Sequence, residues 1–268
     1  GYFPLFRFMK RSQKWKIMKK IKYTGFTIIL TLLLAALSSA QVVKNTLIPG
    51  LGYFNDNNRV QYLKANTKTK LNGKFKQVSG IHLNFYINSE SPANLLGKAV
   101  TNDKGQAILF IPPSAKVEWN KSSKQSFIVV SDASKQYDAV RSDINLTKAR
   151  IQIDTLTERK ISATLSELKD SVWMPVKGVD VKVAVKRMDG NLNVNETPVY
   201  TTDSLGTVSA GFKQDKLPGD SAGNLILIAE VDDNDIYGNL TAERSVPWGT
   251  ASKYVPVYNQ RSLFARRG

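Results

Sequence analysis

The sequence contains no cysteine and a single histidine in 268 residues, and these two absences remove several classes of chemistry. Without cysteine there is no disulfide, no thiol nucleophile and no cysteine-ligated zinc or iron–sulfur site. A Ser-His-Asp arrangement could be built only on His82. The composition is otherwise that of a globular protein, with 42% hydrophobic and 22% charged residues, which argues against disorder and collagen-like repeats. Stability must therefore come from burial of a core.

Acidic residues are absent from the N-terminal region. The first 40 residues contain eight of the 38 Lys and Arg and none of the 22 Asp and Glu, in a chain whose formal net charge is +16. From residue 41 onward 30 cations stand against 22 acids, a net charge of +8 that is spread along the chain. No stretch combines Lys or Arg with aromatics as in a groove where nucleic-acid bases stack on aromatic rings, so no nucleic-acid partner is expected.

Residues 18–40 have the pattern of a secretion signal. A basic segment that starts at Met18 precedes an apolar run over 26–37, and Ser-Ser-Ala ends at Ala40. As a helix this run would cover roughly 18 Å, well short of the roughly 30 Å hydrocarbon core. We predict a cleaved signal peptide, with a retained N-terminal anchor as the alternative. Because residue 41 is Gln41 and not Cys, a lipoprotein is excluded.

Residues 1–17 precede this signal and are interpreted as an upstream extension with no folding role. Their mixture of aromatic and basic residues makes a membrane-surface patch the alternative. Export would explain the N-terminal cations as part of a translocation signal. The predicted location is then the periplasm, the outer membrane or the cell surface of a Gram-negative bacterium.

Two strand-like segments carry the same pattern about 100 residues apart. Gly80 is followed by apolar residues at every second position of 81–87, and Gly178 by the same alternation over 179–185. A period of two is typical of a strand with one buried face and one wet face. The shared register after a shared glycine indicates a duplicated module.

Two further features recur. A Thr-x-x-x-Gly turn at 101–105 recurs at 202–206, where Asn or Asp caps the turn and glycine supplies positive φ. The apolar run 127–130 recurs at 225–228, offset by 98 residues. Continuous apolar runs are typical of strands that are covered on both faces.

The predicted fold class is all-β, with two tandem β-sandwiches. The best helix candidate, 155–168, alternates at Ile161, Ala163 and Leu165 and is therefore predicted as a strand. Each module is expected to have its own core and its own sheets, sealed by the strands that start at Ile81 and Val179. The predicted boundaries are an upstream extension at 1–17, a signal peptide at 18–40, a loose leader at 41–59, module one at 60–155, module two at 158–248 and an aromatic and basic tail at 249–268.

This set of motifs resembles the bacterial Ig-like and transthyretin-like (carboxypeptidase-regulatory-like) modules of exported proteins, over roughly residues 60–248. The resemblance implies a β-sandwich fold and leaves the strand order, Ig-like or transthyretin-like, open. It implies no catalytic residue, because such modules serve as adhesins, spacers and accessory domains alike. Neither copy has the cysteine pair and core tryptophan of antibody domains.

An acidic cluster is the candidate metal site, and calcium is the one candidate cofactor. Carboxylates near a strand end can converge on Ca²⁺, which takes six to eight oxygen ligands. The spacing differs from that of an EF-hand loop, so a solvated strand-end loop is the alternative. The cluster consists of Glu230, Asp232, Asp233 and Asp235.

Asp followed by Ser or Thr and an apolar residue occurs four times. The pattern is similar to an O-glycan acceptor used by some Gram-negative bacteria, and ordinary Asx and Ser/Thr turns are the alternative. The candidate acceptor hydroxyls are those of Thr155, Ser171, Ser204 and Ser221.

No catalytic residue is predicted. His82 falls on the wet face of its strand beside Asn84 and is interpreted as a surface residue. Glu167 and Asp170 could act as an acid–base pair in glycoside cleavage, but nothing in the sequence fixes their separation. Because no nucleophile–base set is visible, the protein is predicted not to be an enzyme.

The chain ends in aromatic and basic residues that are candidates for partner docking. Three roles are expected as alternatives for them. They could pack back on module two, dock a partner or a membrane surface, or flank a membrane helix beyond residue 268. These residues are Trp248, Tyr254, Tyr258, Phe264, Arg266 and Arg267.

The predicted function is that of a non-catalytic structural or interaction protein of the bacterial envelope. It would contact a protein or a glycan through sandwich loops and the tail. One alternative is a carbohydrate-binding module, which needs several aromatics on one face, with Trp119, Trp173 and Trp248 available. The other is an accessory ectodomain of a membrane complex.

Overall fold

A computed structural model describes residues 44–252. The predicted upstream extension and signal peptide lie outside the described residues, as does the tail after residue 252. The described part contains seventeen β-strands, two short 3₁₀ turns and one five-residue helix, α1 (Lys116–Asn120). No helix within 44–252 is long and apolar enough to cross a membrane.

Module 1 is a sandwich of two sheets. In the first sheet β2 pairs with β1 on one edge and with β3 and β6 on the other, and the second sheet has the order β5-β4-β7-β8. The strands are β1 (Leu47–Asp56), β2 (Val60–Leu71), β3 (Lys74–Gln77), β4 (His82–Ile87), β5 (Leu95–Val100), β6 (Gln106–Phe110), β7 (Lys124–Ser131) and β8 (Val140–Thr147).

Module 2 repeats this plan. Here β10 pairs with β9, β11 and β15, while β12 pairs with β13, β14 and β16, and β16 pairs with β17. The strands are β9 (Ala149–Leu156), β10 (Lys160–Lys169), β11 (Val172–Pro175), β12 (Asp180–Val185), β13 (Leu192–Asn193), β14 (Tyr200–Thr201), β15 (Thr207–Gly211), β16 (Leu225–Asn234) and β17 (Gly238–Val246).

The strand order is that of an Ig-like sandwich. In the usual lettering β1, β2 and β6 are strands A, B and E, and they face a C′-C-F-G sheet of β5, β4, β7 and β8. In module 2 the A-B-E strands are β9, β10 and β15, opposite β14, β12, β16 and β17. The predicted all-β fold of two tandem sandwiches is confirmed.

The alternating segments form the core as predicted. Leu83, Phe85 and Ile87 of β4 are at most 1% exposed, as are the alternating valines of β12, because every second side chain of a strand points to the same face. Residues 155–168 contain no helix. They span the end of β9, a turn at 157–159 and β10, in which Ile161 and Leu165 are fully buried.

The expectation of a loose leader at 41–59 is wrong from residue 47 onward. Leu47–Asp56 forms strand β1, which pairs with β2 at all ten of its positions. Gly50 and Gly52 suggest a turn in the sequence, yet in the structure they occupy positions of an extended strand. Leu47 and Tyr53 of the same strand are buried and anchor it to the core. Module 1 therefore begins at β1.

The predicted alignment of the two apolar runs is also wrong by two residues. Phe85 pairs with Val129 in module 1, and its equivalent Val183 pairs with Ala229 in module 2. The offset between β7 and β16 is therefore 100 residues, not 98. Ile226 is 43% exposed, so the second run is not covered on both faces.

The two sandwiches do not have separate sheets, contrary to expectation. The end of β1 pairs in parallel with β17, Phe54 opposite Asn239, which joins one sheet of each module into a nine-stranded sheet. Their buried apolar side chains form one continuous cluster. Only Lys148 separates β8 from β9, and it is 8% exposed with its ammonium 4.7 Å from the ring centroid of Trp119.

A longer hairpin explains this junction. Thr67 and Leu165 are equivalent, because the backbone N–H of each donates to the turn glycine at 105 or 206. Thr67 pairs with Pro49 on β1, whereas Leu165 pairs with Ile151 on β9. Equivalent residues of the two modules are therefore 98 positions apart on β2 and β10 but 102 positions apart on β1 and β9. The β1–β2 hairpin of module 1 is thus four residues longer than the β9–β10 hairpin.

Two asparagines in the longer β1–β2 turn form hydrogen bonds with module 2. Asn58 donates from Nδ2 to the carbonyl oxygen of Ile151 at 2.7 Å and accepts from its backbone N–H at 3.2 Å. Asn57 donates its backbone N–H to the carbonyl of Thr241 and accepts from the N–H of Glu243, both at 2.7 Å. Both asparagines have positive φ, which this residue type tolerates well.

Candidate binding face

The turns singled out by the sequence are structural. Oγ1 of Thr101 accepts from the N–H of Ile81 and donates to the carbonyl of Val78, both at 3.0 Å. Oγ1 of Thr202 accepts from the N–H of Val179 at 2.9 Å. Each threonine thus ties its turn to the start of β4 or β12.

The residues that follow these threonines cap their own turns. Oδ1 of Asn102 accepts from two backbone N–H groups of its turn, and Oδ1 of Asp203 does the same. Gly105 and Gly206 have φ of +67° and +70°, and a Cβ there would lie 2.6 and 2.5 Å from a backbone oxygen. Glycine is therefore required at both positions.

A row of aromatic rings crosses the outer face of the first sheet of module 1. Phe54, Tyr62 and Phe110 lie opposite one another on β1, β2 and β6. The ring centroids of Phe54 and Tyr62 are 4.9 Å apart, and those of Tyr62 and Phe110 are 5.6 Å apart. Phe110 is 62% exposed. Phe54 and Tyr62 are half-buried, so Phe110 is the ring of this row that is most open to solvent.

Lysines continue this face along β2. Leu63 and Ala65 are fully buried, so the alternation of the strand turns Lys64, Lys68 and Lys70 outward. None of these three lysines forms an ion pair with any residue of the described part. The Nζ atoms of Lys68 and Lys70 lie 4.7 and 5.9 Å from the ring centroid of Phe75, which is itself 61% exposed.

Two glycines make a trough beside the lysines. Gly52 pairs with Lys64, and Gly50 pairs with Asn66. A Cβ at Gly50 would meet no atom within 4 Å, whereas one at Gly52 would lie 3.2 Å from the ring of Phe54. We call this surface the aromatic–lysine face. It consists of Ile48, Gly50, Gly52, Phe54, Tyr62, Lys64, Asn66, Lys68, Lys70, Phe75, Gln77, Gln106, Ile108 and Phe110.

Acidic groups border this face at the module junction. Burial, together with the neighbouring charge of Glu243, raises the pKa of Asp56, while Lys186 opposes this. Partial burial and the charge of Asp56 raise the pKa of the Tyr62 phenol. Asp56 lies where β1 pairs with β17, and Tyr62 lies on the neighbouring strand β2. Asp56 also lines a junction cavity of about 670 Å³ with Asn57 and Asn58.

The equivalent face of module 2 is different in chemistry. Its central strand places Ser162, Thr164 and Ser166 where module 1 has Lys64, Asn66 and Lys68. On β15, Ser209 and Gly211 take the positions of Ile108 and Phe110. Hydroxyls therefore replace Lys64 and Lys68, and a glycine replaces the exposed ring of Phe110. Lys160 takes the place of Tyr62, and Trp173, which lies under the guanidinium of Arg150, takes the place of Phe75.

Sequence reasoning missed the aromatic–lysine face because Phe54 lies in the segment predicted as a loose leader and Phe110 comes from β6, far along the chain from Tyr62. The alternation of Tyr62, Lys64, Lys68 and Lys70 was the available signal. The premise that no basic stretch is interleaved with aromatics is therefore wrong for β2 and its neighbours. The absence of a nucleic-acid partner stays a prediction.

The four carboxylates of the candidate calcium site do not converge. Asp232 pairs with Lys182 at 2.5 Å, and Glu230 accepts from Nδ2 of Asn191 at 2.9 Å. Asp233 and Asp235 follow at the turn into β17. Within 44–252, no three His, Asp or Glu side chains are placed to hold a metal ion. Calcium binding gains no support from this arrangement.

The candidate glycosylation sites lie in two kinds of place. Ser171, Ser204 and Ser221 are exposed in turns, and Thr155 is half-buried near the end of β9. The aspartates before Ser204 and Ser221 accept backbone hydrogen bonds within their own turns, as the Asx-turn alternative requires. O-glycosylation stays a prediction.

Other candidate residues have structural partners. His82 is exposed on β4. Oε2 of Glu167 accepts from the Tyr237 hydroxyl at 2.8 Å, and burial is the main cause that raises the pKa of that phenol. Asp170 lies in the β10–β11 turn with positive φ. These residues form no common site.

The three tryptophans of the described part have separate neighbours. Trp119 stacks on Tyr53 and Phe127 in module 1, whereas Trp173 lies under the guanidinium of Arg150. Trp248 packs against the ring of Phe212 at 5.4 Å, and its carbonyl accepts from Arg159 at 2.9 Å. The first tail candidate thus packs on module 2. The other five, Tyr254, Tyr258, Phe264, Arg266 and Arg267, lie outside the described residues.

Comparison with known proteins identifies no family. No family model and no curated protein matches this sequence. A tetra-tandem repeat from the extending region of a large adhesion protein is similar over 76% of this chain and 48% of that chain, with 14% identity and a TM-score of 0.26. The D0–D1 domain of intimin is similar over 73% of this chain and 98% of that chain, with 16% identity and a TM-score of 0.25. Domains NIE-MG1 of Escherichia coli alpha-2-macroglobulin are similar over 72% of this chain and 95% of that chain, with 13% identity and a TM-score of 0.27.

These similarities are weak. This chain corresponds to about half of the adhesion-protein structure. A β-glucuronidase from Parabacteroides merdae is similar to the same extent, with 10% identity, 74% of this chain and 24% of that chain covered, and a TM-score of 0.26. At such TM-scores the similarity says nothing about function, which must be argued from the faces of the two modules.

Proposed function

We propose that this protein is a non-catalytic interaction protein of the bacterial envelope that binds its partner through the aromatic–lysine face of module 1. Module 2 acts as a rigid support. The observation that carries the proposal is the contrast between two equivalent faces of one duplicated fold.

The contrast supports binding because the fold does not need this surface. Ser162 and Ser166 stand in the positions of Lys64 and Lys68, and module 2 forms the same strands. Exposed Phe110 has only Gly211 as its equivalent. Exposed rings that the fold does not require are typical of interaction surfaces.

The junction supports the spacer part of the proposal. Four hydrogen bonds from Asn57 and Asn58, a parallel strand pairing and the one-residue linker Lys148 hold the modules together. A partner bound to module 1 would therefore be held at a fixed distance from the end of module 2. Contact through the tail remains part of the earlier prediction.

The test is retention of the full chain on envelopes isolated from the source bacterium. We expect the triple variant K64Q/K68Q/K70Q and the single variant F110A to lose at least four-fifths of the bound fraction at physiological salt, since roughly 1–2 kcal/mol of binding is removed. The matched control is S162Q/S166Q in module 2, which should bind like wild type. Equal retention of all variants would contradict the proposal.

A further inference from the structure

On the basis of the proposed function, we propose that the ligand of the aromatic–lysine face is an acidic polysaccharide, a chain of sugar rings that carries carboxylate or sulfate groups. The features of the face that support this chemistry are its lysines, its exposed rings, its amide side chains and its trough.

The lysines match a chain with repeated negative charges. Lys64 and Lys68 lie about 13 Å apart along β2, and Lys70 lies about 7 Å further along, at 3.3–3.4 Å per residue. No carboxylate within the face neutralises them, and the nearest acid on the same sheet, Asp56, lies at its far edge next to the aromatic row. Anions placed along the strand can therefore contact all three ammonium groups.

The rings and amides match the sugars between those charges. The ring of Phe110 is 62% exposed, and Ile108 beside it on the same face of β6 is 50% exposed, which offers apolar surface to the C–H faces of sugar rings. Asn66 and Gln106 lie opposite each other on β2 and β6, where their amides can donate to and accept from hydroxyl groups.

The trough lets an extended chain approach the sheet. Gly50 and Gly52 leave β1 without side chains beside Asn66 and Lys64, and the space above Gly50 is open to 4 Å. A polymer lying along this trough would contact the lysines on one flank. The aromatic row of Phe54, Tyr62 and Phe110 crosses its end.

Nucleic acid and anionic membrane are the competing polyanions. Lysine ammonium groups bind carboxylate, sulfate and phosphate alike, so the charges alone do not separate these polyanions. The neutral amides of Asn66 and Gln106 between the charges fit a hydroxyl-rich chain better than a phosphate backbone. The observations thus favour the polysaccharide.

The experiment measures binding of the full chain to polygalacturonate and to chondroitin sulfate by calorimetry, with dextran as the neutral probe. We expect both acidic polymers to bind, dextran not to bind, and affinity to fall as salt is raised. K64Q/K68Q/K70Q should weaken binding about tenfold and F110A about fivefold. A dT20 oligonucleotide and phosphatidylglycerol vesicles serve as the competing probes.

A trough variant supplies a matched pair that leaves the charges unchanged. Gly50→Leu places a side chain in open space and should weaken polymer binding at least tenfold, while Gly211→Leu, also in open space but on module 2, should have no effect. Melting curves identical to that of wild type would show that both variants fold.

The inference is overturned if neither acidic polymer binds, if the face variants bind as wild type does, or if the oligonucleotide or the vesicles bind more tightly than both polymers. Its failure differs from failure of the proposed function. If the face variants lose envelope retention but no acidic polymer binds, the binding face stands and the ligand class is wrong.

Discussion

The two modules share a hydrogen-bonded skeleton and differ on one sheet face. In each module the strand B residue Thr67 or Leu165 donates to the carbonyl of the turn glycine at 2.8 Å, and Val78 or Val176 donates back to that strand residue at 3.0 and 3.1 Å. At the centre of the outer face of the same strand, module 1 carries Lys64 and Lys68 where module 2 carries the hydroxyls of Ser162 and Ser166. The skeleton sets the fold, and the outer positions are free to acquire a binding chemistry.

The largest expected effect tests whether the skeleton is truly shared. Gly105→Ala and Gly206→Ala each place a Cβ within 2.6 Å of a backbone oxygen at positive φ. Each should lower the free energy of unfolding by about 3 kcal/mol or more, measured by urea denaturation. Gly50→Ala and Gly211→Ala, which meet no neighbouring atom, are the controls. A tolerated alanine at either turn would break the equivalence of the modules.

A second pair of variants should lower the stability of the two modules by different amounts. Thr101 makes two hydrogen bonds through Oγ1, whereas Thr202 makes one. We expect Thr101→Val to cost about 2 kcal/mol and Thr202→Val about 1 kcal/mol. Each variant leaves a backbone N–H unpaired, and the first also removes one of the two hydrogen bonds accepted by the carbonyl of Val78, which keeps the bond from Oγ1 of Thr67. Chemical denaturation of both variants measures the difference. Equal losses would mean that the extra bond of Thr101 contributes nothing.

The longer hairpin of module 1 supplies the asparagine hydrogen bonds of the junction. Asn58→Ala removes the two hydrogen bonds to Ile151 and should destabilise the chain by about 1 kcal/mol. Amide hydrogen exchange at Ile151 should rise in the same variant, because its N–H loses its acceptor. Asn72→Ala, at a positive-φ turn elsewhere in module 1, controls for the loss of asparagine from a left-handed position. Unchanged exchange at Ile151 would show that these hydrogen bonds do not hold the modules.

The smallest expected effect on stability comes from Asp56, at the border of the aromatic–lysine face. The pKa of Asp56 is raised, so the folded state binds its proton more readily than the unfolded state does. The ionised carboxylate therefore lowers stability at neutral pH, and this loss disappears as the pH falls through the raised pKa. Asp56→Asn should raise the melting temperature by about 1–2 °C at pH 7 and have no effect at pH 3. A rise of equal size at both pH values would assign the effect to packing.

Sequence alone predicted the parts of the fold that depend on local pattern. The alternation after Gly80 and Gly178 fixed two core strands, and the Thr-x-x-x-Gly spacing fixed two turns. These features can be predicted because alternating burial and positive-φ glycines are specified by residues that are close together in the sequence.

Features that depend on distant pairing could not be read in the same way. The strand β1 looks like a loop because Pro49, Gly50 and Gly52 occur in it, and only its pairing with β2 reveals it. The aromatic row joins Phe54, Tyr62 and Phe110 across a register that no local pattern specifies. The junction depends on a four-residue difference in hairpin length.

The most direct test of the central claim transfers the face from one module to the other. The background is a chain in which K64S, K68S and F110A disable module 1. Into it are introduced S162K, S166K and G211F, which place the same side chains at the equivalent positions of module 2, where Gly211 has open space. Q152G and D154G are added, because Gln152 and Asp154 occupy the positions of the trough glycines Gly50 and Gly52. Retention on isolated envelopes is then measured. We predict that retention is lost in the background and largely restored by the transfer. A folded transfer variant that stays unbound, or a background that still binds, would contradict the account.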